Sequence, residues 1–382
     1  MDERQVVVIG AGAAGLASAG ELRRAGVPAV VLDRSDAIAS AWRGRYDRLR
    51  LNTSRLTSRL PKSRYPRGTS LFPGRDDMVR YLEAYAARNQ LDVRLGTTVD
   101  RIDRDDGRWV VRSSAGELPA DQAVVATGYE NTPSIPDWPG RDRFTGRLLH
   151  AAEYRNADAF RDHEVLVVGP GCSGVEIAYD LASDGARRVL LAVRTPPNIV
   201  LRESGGLPGD LPALAMMRLP TRFADAQVKF IRRMSIGDLA EFGLPRPEEG
   251  VFARLRREGK APAIVDKEMI DAIRDRQIEI VAGVESLDET GVQLADGSRV
   301  EPAAIIAATG YRRGLEPLVG HLGVLDEQGI PRARGADEAA PGLRFIGFVS
   351  RPGAIGYMGA EATRAAKAIA LEMRNSPAPA AR

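Results

Sequence analysis

Gln5 to Asp33 reads QVVVIGAGAAGLASAGELRRAGVPAVVLD, and the order of its residue types decides the fold. Val6 to Ile9 is a short, wholly apolar, β-branched run, as expected of a parallel strand covered on both faces by helices. Gly10, Gly12 and Gly15 follow in the spacing G-x-G-x-x-G. In that spacing the first glycine permits a tight turn, the second lets a pyrophosphate approach the backbone, and the third lets the helix pack close to the strand. The helix N-terminus then faces the anion. Gly26 and Pro28 stop the helix, and Ala29 to Leu32 make the next strand. Asp33, at the end of that strand, is placed to accept hydrogen bonds from an adenosine ribose. The glycine spacing alone is weak evidence, because glycine-rich helix starts also serve packing. With a strand before it and a carboxylate after it, it predicts a dinucleotide site in an α/β fold.

The same pattern returns at Glu164. VLVVGPGCSGVEIAYDLASDGARRVLLAVR, residues 165–194, gives an apolar strand, Gly169, Gly171 and Gly174 in G-x-G-x-x-G, a helix, a stop at Gly185 and a second strand. Two such units mean two dinucleotide sites, or one site and a decayed duplicate. Arg194 stands where an acidic residue would select NAD, and a cation there suits the 2′-phosphate of NADP. Pro170 lacks an N–H and stiffens the turn. Cys172 has two readings, a small turn residue or a thiol activated by the helix N-terminus.

Composition bounds the rest. A chain of 382 residues is long enough for two cores, and 44% hydrophobic with 27% charged residues is ordinary for a soluble protein. The net charge of +3 is small and the basic residues are scattered, so nucleic-acid binding is not indicated. A single cysteine excludes an internal disulfide, a CxxC redox pair and a cysteine-built zinc site, and fits a reducing cytoplasm. His163 and His321 lie in polar contexts and suggest no metal. Val6 to Gly20 imitates the apolar core of a signal peptide, yet it follows Asp2 and Glu3 and is patterned as a nucleotide turn. No apolar run is long enough to span a bilayer.

Between and after these units the chain is less regular. Arg43 to Arg67 is basic, but its arginines alternate with Tyr46, Leu49, Leu51, Leu56 and Leu60, the pattern of an extended segment with a solvated face. Within it Asn52 and Thr53 follow an apolar pair and could be carried towards a cofactor. Asp76 to Asn89 is an amphipathic helix, with Met78, Tyr81, Leu82 and Tyr85 at helical spacing. Val93 to Val99 and Trp109 to Arg112 are read as strands of a small meander turning at Gly116. AVVATGY, residues 123–129, is a buried strand running into a glycine, and IIAATGY, residues 305–311, echoes it. Short strands at Ile278 to Val281, Val292 to Leu294 and Arg299 to Val300 precede that echo. Thr195 to Pro262 is rich in proline, glycine, methionine and phenylalanine, which leaves two readings open: a lid or substrate channel, or a surface helical excursion. Lys229, Arg232 and Arg233 beside its apolar residues also allow weak contact with a membrane surface. A strand at Leu343 to Phe348 and a helix at Gly353 to Met373 are expected to complete the first domain, and Asn375 to Arg382, rich in proline and alanine, is expected to lack order.

Phe144, Gly146, His150 and Tyr154 match F-x-G-x-x-x-H-x-x-x-Y. With that fingerprint between the two glycine turns, and both ATGY segments, the chain resembles the flavin-containing monooxygenases over nearly its whole length. IASAW followed by YDRLRL, then VRTPPNIVLRE, EFGLPRP and PAIVDKEMIDAIRDRQIEIVAG, make it most similar to the plant YUCCA auxin-forming enzymes and their bacterial relatives. Asn52 falls where animal members have asparagine near the isoalloxazine and YUCCA-type members tend to have histidine. Tyr154 stands where the Baeyer–Villiger group usually has tryptophan.

The resemblance implies two Rossmann-like dinucleotide-binding domains, the second inserted in the first: an FAD-binding domain of residues 1–145 and 310–382, and an NADPH-binding domain of residues 146–309 carrying a loop and helix insertion at about 195–262. FAD is expected on Gly10 to Asp33 and NADPH on Gly169 to Arg194, and the candidate cofactor contacts are Gly10, Gly12, Ala14, Gly15, Asp33, Arg34, Trp42, Asn52, Thr53, Val99, Ala126, Thr127, Gly128, Gly169, Gly171, Cys172, Ser173, Gly174, Arg194, Thr195, Ala308, Thr309, Gly310 and Tyr311. His150 takes a structural role in the linker, and Asn52 is the one candidate for a direct part in catalysis. The activity implied is that of an NADPH-using monooxygenase in which reduced FAD takes up O2 as a C4a-(hydro)peroxide. That adduct oxygenates a nitrogen or sulfur atom, or an oxo acid or other carbonyl, of a small substrate. An NADPH-dependent flavin oxidase or reductase, and a non-catalytic flavin-binding protein, are the alternatives.

Overall fold

The computed structural model describes residues 5–375, so the proline- and alanine-rich end at 376–382 lies outside the described residues. In chain order the elements that place the site are β1 (Val6–Ile9), α1 (Ala13–Arg24), β2 (Ala29–Leu32), α2 (Arg75–Arg88), β3 (Asp92–Arg94) and β4 (Gln122–Val125), then β5 (Arg147–His150), β6 (Glu164–Val168), α3 (Cys172–Ser183) and β7 (Arg188–Val193). There follow α4 (Asp210–Met216), α5 (Thr221–Ser235), α6 (Val251–Glu258), α7 (Lys267–Arg274), β8 (Ile278–Ala282), β9 (Ala304–Ala307), β10 (Leu343–Phe345) and α8 (Ala354–Asn375).

Two five-stranded parallel sheets result, in the orders β10-β4-β1-β2-β3 and β5-β9-β6-β7-β8. The second sheet takes all its strands from residues lying between β4 and β10 of the first. Each sheet is apolar on both faces, which is why β1, β4, β6 and β9 contain almost nothing but Val, Ile and Ala. In the first unit α1, α2 and α8 cover one face, burying Leu16, Met78, Tyr81, Leu82, Tyr85 and Ile369. A three-stranded antiparallel meander covers the other through Ile102, Trp109 and Val111. The second unit repeats this plan, with α3 and α7 on one face and a meander carrying Leu287, Val292 and Leu294 on the other.

One strand assignment differs from the expectation. Val93 to Val99 is not one strand of the meander: Gly96 sits at φ +64°, breaking the run, so Asp92–Arg94 joins the parallel sheet as its edge and the meander begins at Val99. Ile278–Ala282 likewise pairs in parallel with β7 as the edge of the second sheet, and its meander begins at Val284. The chain crosses between units twice, and the crossings pair with each other, Thr132–Pro133 antiparallel to Tyr311–Arg312.

The insertion packs as a helical excursion and also reaches the first unit. Ile199, Ile236, Leu239 and Leu244 pack it on the core of the second unit, as a helical excursion would. Its helix α4, however, begins at a buried carboxylate, Asp210, that accepts hydrogen bonds from Ser54 Oγ (2.9 Å) and Thr57 Oγ1 (2.5 Å) of the first unit. The insertion therefore bridges the units beside Asn52. Its helix α5 leaves Phe230 and Met234 exposed. Among the described residues, no helix is long and apolar enough to cross a membrane.

Candidate functional site

The six motif glycines divide by what a side chain would strike. A Cβ on Gly15 would lie 1.8 Å from the Gly10 carbonyl oxygen, and one on Gly174 1.8 Å from that of Gly169. The first glycines are equally constrained, Gly10 against the Ala126 oxygen at 2.7 Å and Gly169 against that of Ala308 at 2.5 Å, both with φ above +100°. These four are fixed by packing of turn, helix and neighbouring strand. Gly12 and Gly171 are different: a Cβ on either would meet no protein atom within 4 Å. Glycine there answers to nothing in the protein, and it leaves the backbone at the N-termini of α1 and α3 open to a pyrophosphate. The donor set therefore fits a dinucleotide in each unit.

The strand ends separate the two turns chemically. Asp33 Oδ2 accepts the Ala11 N–H at 2.6 Å and its Oδ1 the Ser35 N–H at 2.8 Å, so the carboxylate closes the glycine turn from the next strand. The pairing register sets Asp33 opposite Gly10, because Ile9 pairs with Leu32. In the second unit Val168 pairs with Ala192, which sets Val193, not Arg194, opposite Gly169. Arg194 thus corresponds to Arg34, one residue beyond the acidic position, since both strands pair up to the residue just before their first glycine. The residue between the first two glycines here is Pro170, which has no N–H to satisfy, so an apolar side chain replaces the acid at no hydrogen-bonding cost. Arg194 is exposed, with no hydrogen bond or ion pair among the described residues, beside Thr195.

The two ATGY segments lie against the turns. Ala126 N–H bonds the Ile9 oxygen and Ala308 N–H that of Val168, both at 2.8 Å, and Gly128 and Gly310 both sit in the left-handed region. Thr127 Oγ1 is buried without a partner among the described residues, a polar atom left over in the first unit, whereas Thr309 Oγ1 donates to the Ser134 oxygen at 2.5 Å. Val99 begins its strand two residues after Thr97, whose N–H bonds the Asp33 oxygen, placing it on the same side as Arg34. Trp42 packs partly buried against the core that holds Ala14.

The fingerprint residues prove to be joints. A Cβ on Gly146 would come within 2.5 Å of the Phe144 ring, so the two positions are coupled by packing. His150 Nδ1 accepts the Ala152 N–H at 3.0 Å, which leaves Nε2 as the protonated nitrogen, donating to the Gly310 oxygen at 3.0 Å. Burial holds the ring below its ordinary pKa, and its edge packs on Tyr311, whose hydroxyl accepts from Arg45 at 2.9 Å. Tyr154 donates to Asp180 at 2.7 Å. One turn earlier on the same face of α3, Glu176 accepts from Tyr46 and from Arg202, which also pairs with Asp266. Burial pushes the Glu176 carboxyl upward while Arg202 opposes it. The segment around Tyr46, the fingerprint and the insertion thus all grip α3, the helix that starts at Gly171. Ser173 lies in its first turn.

Cys172 is a turn residue, not a reactive thiol: its Sγ accepts the Ile264 N–H at 3.2 Å, and burial pushes the thiol up to about 11. Asn52 is half-buried, and its amide forms no hydrogen bond among the described residues, while Thr53 Oγ1 bonds Ser58 Oγ at 2.7 Å. Asn52 lies two residues before Ser54, hence beside the Asp210 contact. Asp210 had no motif to betray it, and Arg202 lies in VRTPPNIVLRE without a role legible there; only the fold of the insertion brings them to the site.

Two nucleotide folds joined by a paired crossover, with no second cysteine for disulfide chemistry, define a flavin- and nicotinamide-dependent oxidoreductase of the non-disulfide kind. The family model described as pyridine nucleotide-disulphide oxidoreductase matches residues 7–200. An indole-3-pyruvate monooxygenase, YUCCA1, from Oryza sativa subsp. japonica is 37% identical over 90% of this chain and 86% of its own. A probable indole-3-pyruvate monooxygenase, YUCCA10, from Arabidopsis thaliana is 34% identical over 87% of this chain and 88% of its own. Among solved structures, a flavin-containing monooxygenase from Stenotrophomonas maltophilia superposes with a TM-score of 0.74 over 98% of this chain and all of its own, at 23% identity, and so shares the fold. The chain belongs to the flavin-containing monooxygenases, on the branch of the YUCCA enzymes, and is an FAD- and NADPH-dependent monooxygenase.

Proposed function

We propose that the chain oxygenates a 2-oxo acid, with FAD on the first glycine turn and NADPH on the second. The observation that carries the cofactor assignment is the unlike pair of strand ends, Asp33 bound to Ala11 N–H in one unit and Val193 with a free Arg194 beside Pro170 in the other. The first suits a ribose and the second a 2′-phosphate. When bound, these groups supply hydride transfer and oxygen activation. Gly10, Gly12, Gly15 and Asp33 would hold FAD, with Ala14, Arg34, Trp42, Thr53, Val99, Ala126, Thr127 and Gly128 around it. Gly169, Gly171, Gly174, Arg194 and Thr195 would hold NADPH, with the backbones of Cys172, Ser173 and Ala308 to Tyr311 beside them. Residues 1–145 with 310–382, and 146–309, are the corresponding domains, and the sole cysteine, turned inward, suits a cytoplasmic setting.

The unpaired amide of Asn52, next to the loop that the insertion grips through Asp210, offers a donor towards the reacting oxygen. Asp210 fixes the loop by accepting from Ser54 and Thr57. The balanced reaction is 2-oxo acid + O2 + NADPH + H⁺ → carboxylic acid shorter by one carbon + CO2 + NADP⁺ + H2O. The substrate class is supported by the indole-3-pyruvate relatives. Transfer of oxygen to nitrogen or sulfur is the second reading, favoured by asparagine at position 52.

Holoenzyme given NADPH with phenylpyruvate or, separately, with methyl phenyl sulfide distinguishes the two. One CO2 and one phenylacetate per NADPH is the expected result; sulfoxide formation with no CO2 from the oxo acid would replace it with the second reading.

A further inference from the structure

Residues 347–353 run from the first glycine turn to the Asn52 loop: a Cβ on Gly347 would lie 2.7 Å from that of Ala14, and one on Gly353 3.3 Å from Thr57 and 3.7 Å from Leu214 of the insertion. Arg351 therefore stands where the flavin turn, the Asn52 loop and α4 converge. Its guanidinium lies over the Tyr357 ring, 4.1 Å from the centroid, and among the described residues Nη2 reaches only the sulfur of Met217, at 3.7 Å, and the buried Nε has no partner. The acid that feels Arg351 through space, Glu361, is buried against the Gly347 N–H, shares its field with Arg364 and Arg334, and makes no ion pair with it. A guanidinium partly removed from water and left without an anion is costly, so such a group is retained for one that arrives.

We infer that Arg351, held over the Tyr357 ring, is the specificity residue that receives the carboxylate of the substrate. The planar fork presents two parallel N–H donors, which match a carboxylate in bidentate geometry, and the ring contact restrains the side chain in advance. Met217 at the edge of the fork comes from the insertion, so substrate charge and closure of the insertion meet at one side chain. The inference rests on the 2-oxo acid reading for the identity of the anion, and not on it for the existence of the subsite.

The test uses holoenzyme with phenylpyruvate as substrate and its methyl ester, which cannot lose CO2, as a competitive inhibitor, with flavin content and the KM for NADPH as controls. Arg351→Gln is expected to keep both controls, to lower kcat/KM for the acid on the order of ten- to a hundredfold, and to leave the inhibition constant of the ester within about twofold. Equal losses on acid and ester, or an effect confined to flavin content or the NADPH KM, overturn the assignment. Met217→Glu, a change on the insertion, places a competing carboxylate at Nη2 and is expected to reproduce the acid-selective loss; an unchanged acid-to-ester ratio there counts against it. Should the wild type not turn over phenylpyruvate, the 2-oxo acid reading fails, and equilibrium dialysis of phenylacetate still reads the subsite. Weaker binding to Arg351→Gln than to the wild type upholds it, and equal binding overturns it.

Discussion

The two halves of the molecule follow one plan and differ at the contact that matters. Each has a strand, a glycine turn, a helix, a second strand, an edge strand, a meander and a strand ending in ATGY. In the first, the residue between the leading glycines keeps its N–H and the opposing strand end supplies a carboxylate to satisfy it. In the second, proline removes the donor and valine removes the acceptor together. The two turns thus differ at a pair of positions and not at the acid or base alone, and Arg194 makes no hydrogen bond or ion pair among the described residues.

The harshest way to break the symmetry is to close either open glycine. Gly12→Val should yield protein without bound flavin, whereas Gly171→Val should retain yellow FAD that NADPH no longer bleaches; absorbance during anaerobic titration separates them. Loss of flavin from both would mean that the second turn is no independent site. Next, Asp33→Val copies the second unit into the first and strands the Ala11 N–H, at a cost of about 1–3 kcal/mol and a matching loss of flavin affinity. Adding Ala11→Pro should recover part of the stability in thermal melts, and no recovery would refute the pairing of the two positions. Arg194→Ala should raise the KM for NADPH about tenfold, with little change for NADH, since only NADPH has the phosphate.

A smaller effect belongs to His150. Its folded pKa lies below the ordinary 6.5, so the unfolded chain binds the proton first as pH falls. Its contribution to stability is whole above pH 6.5 and shrinks as the pH drops towards the folded pKa. The melting temperature of the wild type should therefore fall more steeply below that point than that of His150→Gln; parallel curves would show that His150 does not titrate between the states.

The glycine turns and their strands were legible because their chemistry is local: a backbone that must turn tightly and a side chain that must be absent. The fingerprint was legible as a pattern, but its reason was not, since Tyr154 meets Asp180 and His150 meets Gly310 only after the chain has crossed units. Arg194 was misplaced by one residue because periodicity shows a strand without showing which partner residue it faces. Gly96 hid the edge strand Asp92–Arg94 for a related reason, since a run of alternating residues does not announce its break. Asp210 and Arg351 left no trace at all, one a carboxylate in a loop-rich tract and the other one of 54 basic residues. Both acquire their meaning from a convergence of three distant segments.

The most direct measurement is turnover of phenylpyruvate with NADPH under ¹⁸O2, with mass analysis of the phenylacetate formed. One labelled oxygen per product and one NADPH consumed for each is the predicted result. Unlabelled product, or NADPH oxidation that ends wholly in hydrogen peroxide, would contradict it.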